Sequence, residues 1–301
     1  MFIALLPYFE QNALYDVITS IPNTVPWQNT FNATNFPTLS GADQIPYRAK
    51  LADLLCPSDA AGTIVAAGDI GRTNYRVCGG DWPAAWVRAN ADGSFNQDGN
   101  GTAREERARG VFSPVIQRTL AIPDGTSNTI GLSERVMTTA GNITSVKAGF
   151  AINQPAFVSH TYSVTAALTA NPQGCMLLRG ENNTYKPEAN AGTLNAASHG
   201  GLWWPDGSPF YAVFTTIMPP NAPACFSMAD DGMHRGRLMA GPSSNHTGGV
   251  NITLMDGAVR FVNESVDIGN DFGSSPVQSG KSPYGVWGAI GSREGGESAS
   301  L

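Results

Sequence analysis

Charge is scarce in this chain. Lys and Arg number 18 and Asp and Glu 24 among 301 residues, so charged side chains make up 14%, against about 25% in an average soluble domain. The balance is −6 and no basic run exists, which leaves no phosphate-tracking stripe and no polybasic membrane patch; nucleic acid is not an expected partner. Long hydrophobic runs are also missing. The N-terminal apolar stretch, Met1 to Leu6, falls far short of the roughly 20 residues that cross a bilayer, and it lacks the basic region of a secretory signal. The common catalytic signatures are absent too: there is no G-x-S-x-G elbow, H-E-x-x-H pair, Walker loop or dinucleotide G-x-G-x-x-G.

Cysteine and histidine are limited to four residues each. Cys56, Cys78, Cys175 and Cys225 form no C-x-x-C, which argues against a zinc knuckle or a thioredoxin-type redox pair. Four cysteines allow three pairings. Nearest-in-sequence linkage closes the shortest loops, so Cys56–Cys78 and Cys175–Cys225 are the expected bridges, with four buried thiols as the alternative.

What the chain does have is 34 Gly and 20 Pro beside 42% hydrophobic and 9% aromatic residues, the composition of a folded, loop-rich protein rather than a disordered one. Its length suits one or two domains. Residues 2–18 carry apolar side chains near helical spacing (Ile3, Leu6, Phe9, Ala13, Val17), interrupted by Pro7, and read as one amphipathic helix. Strand-like alternation follows at Asn74 to Cys78 and Thr129 to Val136. The runs Asn251 to Met255 and Ala258 to Val262, joined by Asp256-Gly257, predict a β-hairpin closed by a two-residue type I′ turn. Residues 269–301 thin to Gly, Ser and single aromatics and predict a C-terminal wrap or tail beside a single domain over 1–268.

Several constellations are candidates for chemistry. Ser94, Asn96, Asp98, Thr102 and Glu105 fall at EF-hand positions, with Gly99 at the sharp turn and Ser94 replacing the usual first Asp. A Ca²⁺ loop and a plain Gly/Asn-rich loop both fit; no other cofactor is implied. Trp203 and Trp204, with Phe210 and Tyr211, offer either a stacking face for a glycan or other flat solute, or local core plugs. Asp230, Asp231 and His234 group metal-type ligands at what reads as a polar turn. His246 and Asp256 are an imidazole and carboxylate without an accompanying nucleophile, so the expectation is a structural contact that locks the loop beside Gly257. A hydrolase built on His246 or His234 with Asp230, Asp231 or Asp256 requires these groups to converge in one cleft.

Taken in order, Leu5-Leu6-Pro7-Tyr8-Phe9-Glu10-Gln11-Asn12-Ala13-Leu14-Tyr15, Cys56-Pro57-Ser58-Asp59, Asn74-Tyr75, Asp124-Gly125-Thr126-Ser127-Asn128-Thr129-Ile130 with Glu134, Pro219-Pro220-Asn221 before Cys225, and His246 to Asp256-Gly257 span nearly the whole chain. They resemble the planctomycetal family of pilin-like proteins with an H-x(9)-D-G signature. The resemblance implies an α+β fold in which an N-terminal helix packs on an antiparallel sheet with long loop excursions. It also implies a non-enzymatic, exported structural subunit like a type IV pilin or type II secretion pseudopilin head, extracellular, at the cell surface or periplasmic. The implied partners are like subunits or other pilin-like proteins. Members begin with a prepilin-type segment and a long hydrophobic helix; this sequence starts where Leu-Leu-Pro-Tyr follows that helix, so membrane contact is expected only through the missing helix. No catalytic residue carries over.

Overall fold

The computed structural model describes residues 2–21, 42, 45–63, 70–85, 109–112, 121–158, 170–191, 203–207, 209–227, 237–277 and 279–297. Five short helices, α1 (Phe2–Leu5), α2 (Asn12–Ser20), α3 (Pro172–Met176), α4 (Pro209–Ala212) and α5 (Gly285–Gly291), accompany eight strands among these residues. The strands are β1 (Tyr75–Cys78), β2 (Ala84–Ala85), β3 (Ile130–Glu134), β4 (Val213–Phe214), β5 (Cys225–Phe226), β6 (Arg237–Met239), β7 (Gly249–Leu254) and β8 (Val259–Asn263). The fold is α+β. Its main sheet has the order β4-β1-β3-β7-β8, and a smaller one the order β2-β6-β5.

The main sheet is mixed rather than purely antiparallel, because β1 and β4 run parallel while β1–β3, β3–β7 and β7–β8 run antiparallel. One face of this sheet is covered by α5. Trp287 and Ile290 pack with Cys78, Ile130, Phe214, Val250, Ile252 and Val262, and the Trp287 indole donates to the Met218 carbonyl at 2.8 Å. The expected C-terminal wrap therefore contains a helix whose buried tryptophan closes the sheet, a signal too short to show a 3.6-residue period.

The expected single N-terminal helix is broken into α1, a 3-10 turn over Leu6–Phe9 and α2. Pro7 supplies no N–H to an α-helical ladder, and Glu10 adopts the left-handed conformation (φ 60°), its N–H returning to the Leu6 carbonyl. The apolar side chains still face one way. Phe2, Ile3, Leu6, Ile18 and Ile21 pack on Tyr47, Leu51, Leu54, Ile70 and Trp204, so this segment rests mainly on loops beside the sheet. No helix of the described residues is long and apolar enough to cross a membrane.

The β7–β8 hairpin forms as the alternation predicts, with Asn251 opposite Phe261 and Thr253 opposite Val259. Its turn differs. The Leu254 carbonyl accepts from Gly257 N at 3.0 Å, Leu254 N donates to the Ala258 carbonyl at 2.8 Å, and of the turn residues only Gly257 has positive φ, at 88°. That is a three-residue loop with a left-handed glycine, not a type I′ pair, which needs positive φ at both central residues. Asp256 stays at negative φ and uses Oδ1 to accept from Ala258 N at 2.9 Å.

Candidate functional site

Three stretches that are far apart in sequence meet at one end of the main sheet. The turn Cys56-Pro57-Ser58-Asp59 closes through Asp59 N donating to the Cys56 carbonyl at 3.0 Å. Asn74, one residue before β1, holds this turn: Oδ1 accepts from Cys56 N at 2.8 Å, and Nδ2 donates to Asp59 Oδ2 at 2.7 Å and to the Arg135 carbonyl at 3.1 Å. Asp59 is filled in turn, with Oδ2 accepting also from Met137 N and Oδ1 from Ala61 N. Each of these buried polar groups is matched, so the knot avoids the desolvation cost of a lone donor or acceptor.

Glu134 ends β3, opposite Tyr75. Its Oε1 accepts from Asn251 N at 2.9 Å, while Oε2 lies 3.3 Å from His246 Nε2. His246 sits in the loop before β7, where its N–H donates to Ser244 Oγ at 2.9 Å and Ser244 N donates to Asn221 Oδ1 at 2.8 Å. Asn221 occupies the left-handed region (φ 59°) and reaches Glu264 Oε1 through Nδ2 at 2.6 Å. Beneath these loops, Arg135 donates to the Gly241 and Gly149 carbonyls and lies 4.3 Å from the centre of the Phe150 ring. Burial lowers its guanidinium to about 10, and the ring face and carbonyls compensate for the lost hydration. Burial raises the Tyr75 phenol, as do, to a lesser extent, the Cys56 and Glu134 charges.

The result is a small solvent-open hollow, with room for about one water, whose lining includes Cys56, Ser58, Asp59, Asn74, Glu134 and His246. One potential ligand atom from each of Cys56, Glu134 and His246 lies within 4.8 Å of the other two. A thiol, a carboxylate and an imidazole so arranged can share a metal ion, or link as nucleophile, base and orienting acid.

Residues 2–269 match the family described as a protein of unknown function, DUF1559 (SBP_bac_10). The chain belongs to DUF1559. No curated protein and no solved structure matches it. In this DUF1559 member, the motifs that lie apart in sequence, Cys56 to Asp59, Asn74-Tyr75, Glu134 and His246, line or border a single hollow.

Other expectations change. His246 does not meet Asp256: the two flank β7 at its opposite ends, and a six-residue strand spans roughly 20 Å. Glu134, one strand over, is the carboxylate beside His246. Cys175 and Cys225 form the expected bridge, with Cα atoms 6.1 Å apart, but Cys56 and Cys78 are not bonded to each other. Cys56 is held beside Asn74 at the start of β1 and Cys78 ends that strand, so four residues of extended chain, roughly 13 Å, separate partners that a disulfide needs within about 7 Å. Cys78 is instead part of the core under α5, where burial pushes its thiol up to about 12.

Trp204 is fully buried and its indole donates to the Ala49 carbonyl at 3.0 Å, so this ring is a core plug and not a ligand platform. Trp203 is half-buried, with its ring 4.9 Å from that of Tyr211. Ser94, Asn96, Asp98, Thr102 and Glu105, and likewise Asp230, Asp231 and His234, lie outside the described residues. Glu134 follows the run Asp124 to Ile130, and the alternation over Thr129 to Val136 is its only further signal in the sequence. Its pairing with His246 depends on strand order, which that alternation does not encode.

Proposed function

We propose that the protein is a non-enzymatic, exported structural subunit resembling a type IV pilin or type II secretion pseudopilin head, at the cell surface or in the periplasm, packing with like subunits or other pilin-like proteins. The observation that carries this reading is how the motif side chains are used. Asn74, Asp59, Asn221 and the Glu134 Oε1 each bond main-chain or side-chain partners from other loops. Side chains committed in this way are fasteners that give long excursions one conformation, which a load-bearing or surface subunit requires. The Cys175–Cys225 bridge supports export, since such bridges persist in oxidising compartments and are rare in reducing ones.

The test is fractionation of the native cells, with the thiol state trapped at lysis, followed by cross-linking of intact cells and mass spectrometry. The expected result is recovery with the envelope or surface material, Cys175 and Cys225 bridged, and cross-links to the same chain or to pilin-like proteins. Recovery in the cytosol with both cysteines reduced would overturn the reading.

A further inference from the structure

We propose that Cys56, Glu134 and His246 form a Zn²⁺ site with its fourth position open to solvent, an inference independent of the pilin-like reading. The three side chains supply thiolate, carboxylate and imidazole, and their potential ligand atoms all lie within 4.8 Å of one another. His246 Nε2 and Glu134 Oε2 are 3.3 Å apart. Two ligands at about 2.0 to 2.1 Å on a common tetrahedral ion sit roughly 3.3 Å from each other, whereas a charge-assisted hydrogen bond between such groups is about 2.7 to 2.9 Å long. The spacing therefore suits an ion between the two groups better than a direct bond.

Asn251 N binds Glu134 Oε1 and leaves Oε2 facing His246, an outer contact that orients this ligand directly. Ser244 Oγ accepts from the main-chain N–H of His246 and Asn74 Oδ1 from that of Cys56, which fixes the backbone that carries the imidazole and the thiol. Asp59 is not among the converging ligand atoms, and its carboxylate already accepts from Ala61 N, Met137 N and the Asn74 amide, so the remaining position faces the hollow and takes water. A thiolate-containing set disfavours Ca²⁺ and Mg²⁺, which take oxygen ligands, and suits Zn²⁺. The charge balances: thiolate and carboxylate offset the two positive charges of the ion, and binding releases the Cys56 thiol proton to solvent.

The experiment uses the full chain with its Cys175–Cys225 bridge intact, freed of metal by a chelator and titrated with Zn²⁺ by calorimetry, with Co²⁺ substituted for spectroscopy. One equivalent of Zn²⁺ binds, the Co²⁺ form shows a thiolate-to-metal charge-transfer band, and Zn²⁺ slows alkylation of Cys56. Cys56→Ala and His246→Ala each weaken binding more than about 100-fold, beyond the 10- to 100-fold typical of losing an outer-shell partner. Cys56→Ala keeps the main-chain bond to Asn74, so its fold is secure, and Glu134→Gln keeps an acceptor for Asn251 N while removing the anionic ligand. Absence of Zn²⁺ binding, undiminished binding in Cys56→Ala, a Co²⁺ complex without the thiolate band, or Cys56 alkylation at the same rate with and without Zn²⁺ would overturn the assignment.

Discussion

Around Cys175–Cys225 the packing is apolar: Val146, Ala151, Leu178, Ile217, Met218 and Met239 surround the bridge, and Tyr185 adds a hydroxyl that accepts from Ala224 N at 2.8 Å. Around Cys56, by contrast, loops are tied by Asn74, Asp59, Glu134 and His246, and the space between them opens to solvent. Both regions fasten long irregular segments. One uses a covalent link that restricts the unfolded chain, the other uses polar contacts that exist only once the strands have assembled. A cysteine's fate follows what lies within reach: Cys175 and Cys225 meet and are bridged, while Cys56 is left facing a carboxylate and an imidazole.

The largest effect expected is on the bridge. It closes 50 residues of chain, so Cys175→Ala with Cys225→Ala is expected to cost about 4 kcal/mol by the loop-entropy relation, measured by urea denaturation. A loss equal to that of Cys56→Ala would erase the contrast between the regions. Next, Asn74→Ala leaves Cys56 N and the Arg135 carbonyl without this partner and takes one of two donors from Asp59 Oδ2, and a loss of about 2 to 4 kcal/mol is expected in the same assay.

A third experiment separates these regions from the ionic tie between Asp81 and Arg109, whose Oδ1 and Nε are 3.3 Å apart. Burial pushes the Asp81 carboxyl up to about 6, and the Arg109 charge pulls it back only in part. The folded state then holds this proton more tightly than the unfolded chain does, so the stabilisation from protonation is present below about pH 4 and is lost as the pH rises through about 6. Asp81→Asn is expected to flatten that decline by about 2 kcal/mol in melting curves across this range. The smallest effects belong to exposed partners. His246→Ala and Asp256→Ala are each expected to change metal-free stability by less than about 1 kcal/mol, because the first removes a partly exposed side chain 3.3 Å from Glu134 and the second a turn contact at the surface. A large loss in Asp256→Ala would restore a locking role for that carboxylate.

Strand content was the most legible feature. Alternation marked β1, β3, β7 and β8, yet burial follows that period only along β7: β1 and β3 are buried on both faces, and the alternating Val259 and Phe261 of β8 are exposed. The turn at Asp256-Gly257 was legible as a turn but not as its type, which depended on whether Asp256 or only Gly257 took positive φ. The candidate site was legible in pieces, with Cys56, Asp59, Asn74, Glu134 and His246 each in a local motif of the sequence. Its assembly was not, since β3 lies between β1 and β7 and strand order is set by long-range pairing.

Composition and local pattern by themselves determined that this chain folds, that it is loop-rich and weakly charged, and where four of its eight described strands and the hairpin lie, because these depend on neighbours within a few residues. Only tertiary structure decided that Cys56 stays unbridged, that His246 faces Glu134 rather than Asp256, and that Trp204 is core. Those outcomes depend on which strands lie side by side and on the length of an extended segment between two side chains, distances that emerge only when the sheet has formed.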